Sequence, residues 1–259
     1  MAGRNLLWWR KKPKRVLRVK RALLKIGGEP IEVILRSDPR AQRFIVKVDP
    51  STREVSVVSP SARSFEQALE FARKERDWIA GRLADVPKPV PLHYGAALLY
   101  RGVEHIVRQG EKGAAPVWVD RDSDRPIIRV TGKSEHAGRR ITDWLKREAK
   151  RRIEERVTHY AAVLEVKPRR VTIRDTTTRW GSCSSTRNLS FSWRLILAPP
   201  AVLDYVVAHE VAHLRELNHK PRFWRLVDTL VSDAARQQAW LSENGPMLHR
   251  YAPRNRENA

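Results

Sequence analysis

Three histidines and one glutamate near the C-terminal end of the chain have the types and spacing needed to hold a catalytic metal ion. The stretch HEVAH at residues 209–213 places His209 and His213 four residues apart, on one face of a helix, so that both rings can face one ion. Glu210 lies between them and can take a proton from metal-bound water. With His219 as third ligand, three neutral imidazoles leave one tetrahedral position open for water, as in catalytic zinc sites.

His219 lies beyond the helical face that His213 occupies, so the chain must turn between them. Asn218 is predicted to provide that turn, because asparagine tolerates the left-handed conformation that often ends helices. Pro221 prevents a simple continuation of the helix. The alternative is a buried amphipathic helix that carries the HExxH pattern by chance, and the third histidine argues against it.

A longer stretch of sequence resembles a known family. The segments TRWGSCSS at 178–185, NLS at 188–190, WRL at 193–195 and HEVAHLRELNHKPRFW at 209–224 resemble the YgjP-like zinc metallopeptidase domain, which is related to the WLM and SprT-type proteins. The resemblance implies zinc held by His209, His213 and His219, with Glu210 as the catalytic acid and base. It implies no particular substrate.

The motif and the resemblance together predict a zinc-dependent metallopeptidase or amide hydrolase with one zinc ion per chain and a peptide or protein substrate. In this mechanism Glu210 activates a zinc-bound water. Arg179 and Asn188 are candidates for stabilising the transition state or contacting the substrate. Their alternative roles are structural, an ion pair for Arg179 and a turn for Asn188.

Two other function classes stay open. The first is a zinc-dependent hydrolase of nucleotides or phosphoanhydrides, although the sequence has no glycine-rich phosphate loop. The second is a nucleic-acid-associated protease similar to the SprT-type proteins. A formal net charge of +22 makes nucleic acid or another polyanion a candidate partner through a basic surface. The alternative is a solvated surface without such a partner, because the basic residues are spread along the whole chain.

Composition limits the class of protein further. The chain has 259 residues, of which 41% are hydrophobic, and this favours a folded protein with a real core. A single cysteine excludes an internal disulfide and a four-cysteine zinc site, and it suits a cytoplasmic location. No run approaches the roughly 20 apolar residues that cross a bilayer, so no transmembrane segment is expected.

The expected fold class is α+β, with a β-rich N-terminal half and a C-terminal zincin-like domain whose active-site helix lies beside a sheet. Periodicity predicts an antiparallel meander over residues 31–58, one helix over 64–83, further strands over 98–130 and one long helix over 134–166. The expected domains are a basic N-terminal arm at 1–30, a β-rich region with one helix at 31–133, the zincin-like metallopeptidase domain at 134–249 and a disordered tail at 250–259.

Overall fold

The computed structural model describes residues 18–49, 52–86, 88–111, 115–121, 123–176 and 179–251. The chain divides into two compact units, residues 1–85 and residues 86–259. This boundary lies inside the segment 31–133, which was expected to form one region. Most of the expected N-terminal arm lies outside the described residues, but its last part, from Val19, is a β-strand.

The first unit is built on a four-stranded sheet. Its strands are β1 (Val19–Ile26), β2 (Glu29–Ser37), β3 (Ile45–Val48) and β4 (Val55–Ser59). The strand order is β1-β2-β4-β3, and β2 pairs with β4 in parallel. The prediction of an antiparallel meander is therefore wrong, because the strands are not in sequence order and one pair is parallel. The physical reason is burial: β4 directs three buried residues to the core and takes the central place, whereas β3 has none and lies at the edge.

Two helices cover this sheet where the sequence predicted one. They are α1 (Phe65–Lys74) and α2 (Arg76–Asp85). They are nearly continuous, since the Glu75 N–H donates to the Phe71 carbonyl and the Ile79 N–H donates to the Glu75 carbonyl. Their apolar residues join those of the sheet in one core, which includes Leu35, Ala68 and Ile79.

The second unit begins with a sheet of the same topology. Its strands are β5 (Ala97–Tyr100), β6 (Val103–Gln109), β7 (Val117–Asp120) and β8 (Ile127–Val130), in the order β5-β6-β8-β7. Here too the second and fourth strands pair in parallel. The predicted strands over 98–130 are confirmed, and the two sheets repeat one arrangement that the sequence does not reveal as a repeat.

The long predicted helix is present as α3 (Ala137–Val163). Buried residues recur along it at helical spacing, as expected for a helix with one apolar face: Ile141, Trp144, Leu145, Ile153, Val157 and Tyr160. This face packs against α4 (Pro200–Ala212), the helix that carries the HExxH motif. An ion pair of 3.0 Å between Arg156 Nε and Asp204 Oδ1 joins the two helices.

A three-stranded sheet lies beside α4. Its strands are β9 (Arg170–Arg174), β10 (Gly181–Cys183) and β11 (Asn188–Ser192), in the order β10-β11-β9. Because side chains alternate along a strand, one face carries apolar residues such as Leu189 and Phe191. The opposite face carries polar residues such as Thr172 and Ser190. Strand β10 forms the edge of the sheet that contacts α4.

Two helices complete the unit, α5 (Pro221–Leu230) and α6 (Ala234–Leu248). The expected disordered tail needs a correction at its start. Tyr251 is 3% exposed and forms an isolated parallel bridge with Val90, whose N–H donates to the Arg250 carbonyl. The aromatic ring supplies enough apolar surface to fix this segment in the core. Residues 252–259 lie outside the described residues. None of the helices in the described part of the chain is long and apolar enough to cross a membrane.

Candidate metal centre and catalytic glutamate

Helix α4 carries two of the predicted metal ligands at its C-terminal end. Pro200 occupies the first turn, where its missing N–H is tolerated. His209 lies in the last turn, and His213 is the C-cap residue. The two rings lie with their centroids 4.9 Å apart, as the four-residue spacing predicted. Helix α4 is buried on nearly all sides, so the positions of both histidines are fixed by packing.

The chain turns directly after His213, earlier than predicted. The Leu214 N–H donates to the Val211 carbonyl and the Arg215 N–H donates to the Ala212 carbonyl, both across three residues. These tight bonds satisfy carbonyls at the helix end and redirect the chain. The predicted left-handed turn at Asn218 is therefore wrong, since Asn218 does not have a positive φ.

His219 closes the cluster from the segment between α4 and α5. Its Nε2 atom lies 3.1 Å from Nε2 of His209. One ligand nitrogen from each of His209, His213 and His219 lies within 4.8 Å of the other two. Zinc–nitrogen bonds of about 2.0–2.1 Å in tetrahedral geometry place ligand atoms roughly 3.4 Å apart. The cluster is thus of the size that one ion requires.

Two contacts orient the His213 ring. Its Nδ1 lies 3.0 Å from the Glu216 carbonyl oxygen, which fixes Nδ1 as the donor and leaves Nε2 with its lone pair. The ring also stacks on Phe223, with centroids 4.5 Å apart and an interplanar angle of 29°. Phe223 is fully buried. The Glu216 carboxylate itself points elsewhere, to Arg222 Nε at 3.0 Å.

The surroundings of His209 and His213 favour the neutral imidazole. Burial, with smaller contributions from His213 and His219, lowers the pKa of His209 to about 4. Burial also lowers the pKa of His213. A neutral imidazole offers a lone pair, whereas an imidazolium offers none. Three imidazole rings around one point form a donor set that fits a divalent metal ion such as zinc.

Glu210 lies on the side of α4 that faces β10. Glu210 is 7% exposed, and burial raises the pKa of its carboxyl group to about 7. The positive charge of Arg179 and the Cys183 backbone N–H, which donates to the carboxylate, both oppose this rise. A carboxyl group in this environment can hold a proton and release it near neutral pH.

Gly181 makes room for this carboxyl group. A Cβ atom added at Gly181 would lie 2.6 Å from Glu210 Cγ and 2.6 Å from Oε1. Contacts of that length do not occur between real Cβ atoms and their neighbours, so any other residue here displaces the carboxylate. Strand β10 therefore fixes Glu210 by two features, a missing side chain at Gly181 and a donated backbone N–H at Cys183.

The edge of β10 next to Glu210 is the side that does not pair with β11. The Trp180 carbonyl and the Ser184 N–H bond to β11, so the alternation of an antiparallel pair directs the polar groups of Gly181 and Cys183 away from it. The Cys183 N–H accordingly meets Glu210. The backbone edge and the carboxylate thus occupy one side of the strand.

The structure separates the two further candidates. Arg179 is exposed, precedes β10 and acts electrostatically on Glu210. Asn188 is the first residue of β11, and its amide nitrogen donates to the Thr186 hydroxyl in the preceding turn at 2.9 Å. No contact within the described ranges joins Asn188 to the histidines or to Glu210. Arg179 acts on Glu210, whereas Asn188 bonds to the β10–β11 turn; both line the polar face of the β9–β11 sheet.

Sequence reasoning did not find Gly181, Cys183 or Phe223. Gly181 and Cys183 lie inside the segment TRWGSCSS that carried the family resemblance, which was the only signal for them. Their roles depend on β10 lying against α4, a tertiary contact that local pattern does not encode. Phe223 lies in the helix that starts at Pro221, whereas the His213 ring it stacks on belongs to α4, so local spacing gave no signal for this contact.

The fold and the site define a metallopeptidase: a helix with an HExxH motif, a third histidine beyond it and a sheet edge beside the glutamate. A family model described as "YgjP-like, metallopeptidase domain" matches residues 42–244, more than half of the chain. The chain belongs to this YgjP-like metallopeptidase family. Membership implies a bound metal ion and a peptide or protein substrate, and it lends no support to a nucleic-acid partner.

Among solved structures, the chain is similar to the metallopeptidase zymogen of Pyrococcus abyssi abylysin. The identity is 19%, the TM-score is 0.32, and the match covers 35% of this chain and 93% of the other. A comparison with curated protein sequences finds no match.

Proposed function

We propose that the protein is a zinc-dependent metallopeptidase in which His209, His213 and His219 hold one zinc ion per chain and Glu210 is the general base. The observation that carries this proposal is the cluster of three imidazoles at the end of α4, next to the buried carboxyl group of Glu210. Zinc suits the site because it prefers four ligands, and histidine nitrogen is one of its commonest ligand atoms. Three protein ligands leave the fourth position open.

When bound, zinc supplies a Lewis acid that polarises the scissile carbonyl and lowers the pKa of water. Glu210 takes the proton of the attacking water and later delivers it to the leaving amine. Its burial next to Gly181 supports both steps, because a carboxylate with little hydration holds a proton more strongly. The Cys183 N–H keeps the carboxylate oriented between the two transfers.

Arg179 is the residue of this chain that would stabilise the negative charge on the scissile oxygen. Its guanidinium is always protonated, and its charge already acts on Glu210. Asn188 is assigned no catalytic role, because its amide donates to the Thr186 hydroxyl, although the residue lines the same polar face as Arg179.

The backbone edge of β10 offers a way to position the substrate. An extended peptide can add to an exposed strand edge through main-chain hydrogen bonds. On β10 that edge lies beside Glu210, so a peptide paired there brings its carbonyl groups to the metal side. Such pairing needs no particular side chain and would leave sequence preference to neighbouring pockets.

Replacing Glu210 tests the proposal. Glu210→Gln should retain zinc, measured by elemental analysis, and should hydrolyse an unfolded protein about 10²–10⁴-fold more slowly, because the general base is lost. Glu243→Gln on the exposed surface of α6 removes the same charge away from the site and should keep full activity.

Nucleoside triphosphates are assayed in parallel. Glu210-dependent release of phosphate or pyrophosphate, without peptide hydrolysis, would replace the peptidase by a phosphoanhydride hydrolase. A nucleic acid that is required for peptide hydrolysis would favour a nucleic-acid-associated protease. Equal peptidase activity in Glu210→Gln and in the unaltered protein would contradict the proposed role of Glu210.

A further inference from the structure

The polar face of the β9–β11 sheet carries a cavity that shares only Arg179 with the residues to which the proposed mechanism gives a role. Its volume is about 780 Å³. Six serine or threonine residues line it, together with four arginines: Arg169, Arg170, Arg174 and Arg179. None of the lining residues is acidic. The cavity therefore collects positive charge and hydrogen-bond donors in one place.

The positive charge in this cavity is not neutralised by the protein. Within the described part of the chain, no aspartate or glutamate forms an ion pair with any of the four arginines. The acidic residue next in sequence, Asp175, pairs with the buried Arg194. Like charges that share a site repel one another, and an anionic ligand relieves that repulsion. The cavity is thus suited to an anion.

The lining indicates which kind of anion. Single-stranded nucleic acids are usually held by aromatic side chains on which the bases stack. No aromatic residue lines the cavity. Guanidinium groups and hydroxyls instead match carboxylates, which accept two parallel hydrogen bonds from one arginine. These features favour acidic side chains over nucleic acid bases.

The position of the cavity connects it with the substrate. Ser182 lines the cavity and lies on β10 between Gly181 and Cys183, the two residues that face Glu210. A peptide paired along the edge of β10 directs alternate side chains to the two faces of the sheet. One set of its side chains therefore points to the metal side and the other set to the cavity side.

The geometry points to acidic peptide segments as the occupants of this cavity, so that the protein prefers substrates with aspartate or glutamate flanking the scissile bond. This inference rests on the proposed peptidase function. Arg170 and Arg174 on β9 receive the acidic side chains, and the hydroxyls of β10 and β11 contribute further donors. Arg179 lies between this cavity and Glu210.

Matched peptides test the inference with the full-length, zinc-loaded protein. Three quenched fluorescent peptides of equal length carry three glutamates before the scissile bond, three glutamates after it, or glutamines in both places. At least one of the two glutamate-containing peptides should have a kcat/KM about 10-fold or more above that of the glutamine peptide. This is the size of effect expected from a charge-assisted hydrogen bond. The preference should decrease as salt is added.

Charge-matched variants show where the preference arises. Arg170→Gln combined with Arg174→Gln should reduce the glutamate-to-glutamine ratio to within about 3-fold, since the carboxylates lose their partners. Arg147→Gln combined with Arg236→Gln removes the same charge from exposed positions on α3 and α6 and should leave the ratio unchanged. An equal fall of the ratio in both double variants would overturn the inference in favour of general surface charge.

The possible results distinguish a failure of the acidic preference from a failure of the proposed peptidase function. Equal hydrolysis of all three peptides overturns the acidic preference and leaves the peptidase intact. No hydrolysis of any peptide contradicts the proposed function itself. Stronger inhibition by a single-stranded oligonucleotide than by polyglutamate of equal charge would assign the cavity to nucleic acid and overturn the inference.

Discussion

The two faces of the β9–β11 sheet are made by the same three strands and differ in polarity, charge and exposure to solvent. The inner face packs Leu189 and Phe191 into the core and presents Gly181 to Glu210. The outer face presents hydroxyls and arginines to solvent. A period of two along each strand is sufficient to produce this difference.

The difference shows how one short sheet can serve two purposes. On the inner face, dry packing and a missing side chain fix one carboxyl group, which is a requirement of catalysis. On the outer face, uncompensated positive charge provides recognition without rigid geometry. Substitutions on the inner face should therefore affect stability or catalysis, and substitutions on the outer face should affect recognition. Neighbouring residues of one strand point to opposite faces and can be compared as matched pairs.

The largest expected effect is on stability. Phe191 is 1% exposed, and Phe191→Ala should lower the free energy of unfolding by about 3–5 kcal/mol through lost burial and a cavity. Ser190→Ala, the next residue on the outer face, should change it by less than about 0.5 kcal/mol. Urea denaturation of the zinc-free proteins, followed by tryptophan fluorescence, measures both.

If Phe191→Ala does not fold, Phe191→Leu keeps most of the side-chain volume and should lower the free energy of unfolding by about 1–2 kcal/mol. Similar losses for the substitutions at positions 190 and 191 would remove the distinction between the faces.

A smaller effect is expected on catalysis from Gly181→Ala. The new methyl group would occupy the space of the Glu210 carboxylate, and a displacement of this kind should lower kcat on a neutral peptide about 10–100-fold. Zinc content should not change, since the three heavy atoms nearest to this Cβ position all belong to Glu210, which is not a proposed ligand. Ser182→Ala, one residue along β10, should alter kcat less than about 3-fold. Full activity in Gly181→Ala would show that Glu210 does not need its present position.

The cluster of three histidines could be predicted from the sequence because its spacing is largely local. His209, Glu210 and His213 share one helix, and a four-residue spacing defines their geometry once that helix forms. His219 required only that the chain turn, and it does, by tight hydrogen bonds after His213 and a bend at residues 217–218, without the left-handed conformation expected at Asn218. Local pattern also predicted strands β2 to β8 and the long helix α3, but not β1, which lies in the expected basic arm.

Features that depend on distant contacts could not be predicted in this way. The order β1-β2-β4-β3 places β4 between strands that precede it, and nothing in the turns signals the parallel pairing. Tyr251 looked like part of a polar tail because its partner, Val90, is distant in sequence. The role of Gly181 likewise depends on β10 lying against α4, and the arginine cavity on three strands lying side by side.

The central claim is that three histidines hold one zinc ion beside Glu210. Crystals of the zinc-loaded protein, measured on both sides of the zinc absorption edge, locate the ion directly. The account predicts one anomalous peak per chain at about 2.0–2.1 Å from a ring nitrogen of each of His209, His213 and His219. It also predicts that the peak is lost in His213→Ala. A zinc peak elsewhere, or full zinc binding in that variant, would contradict the account.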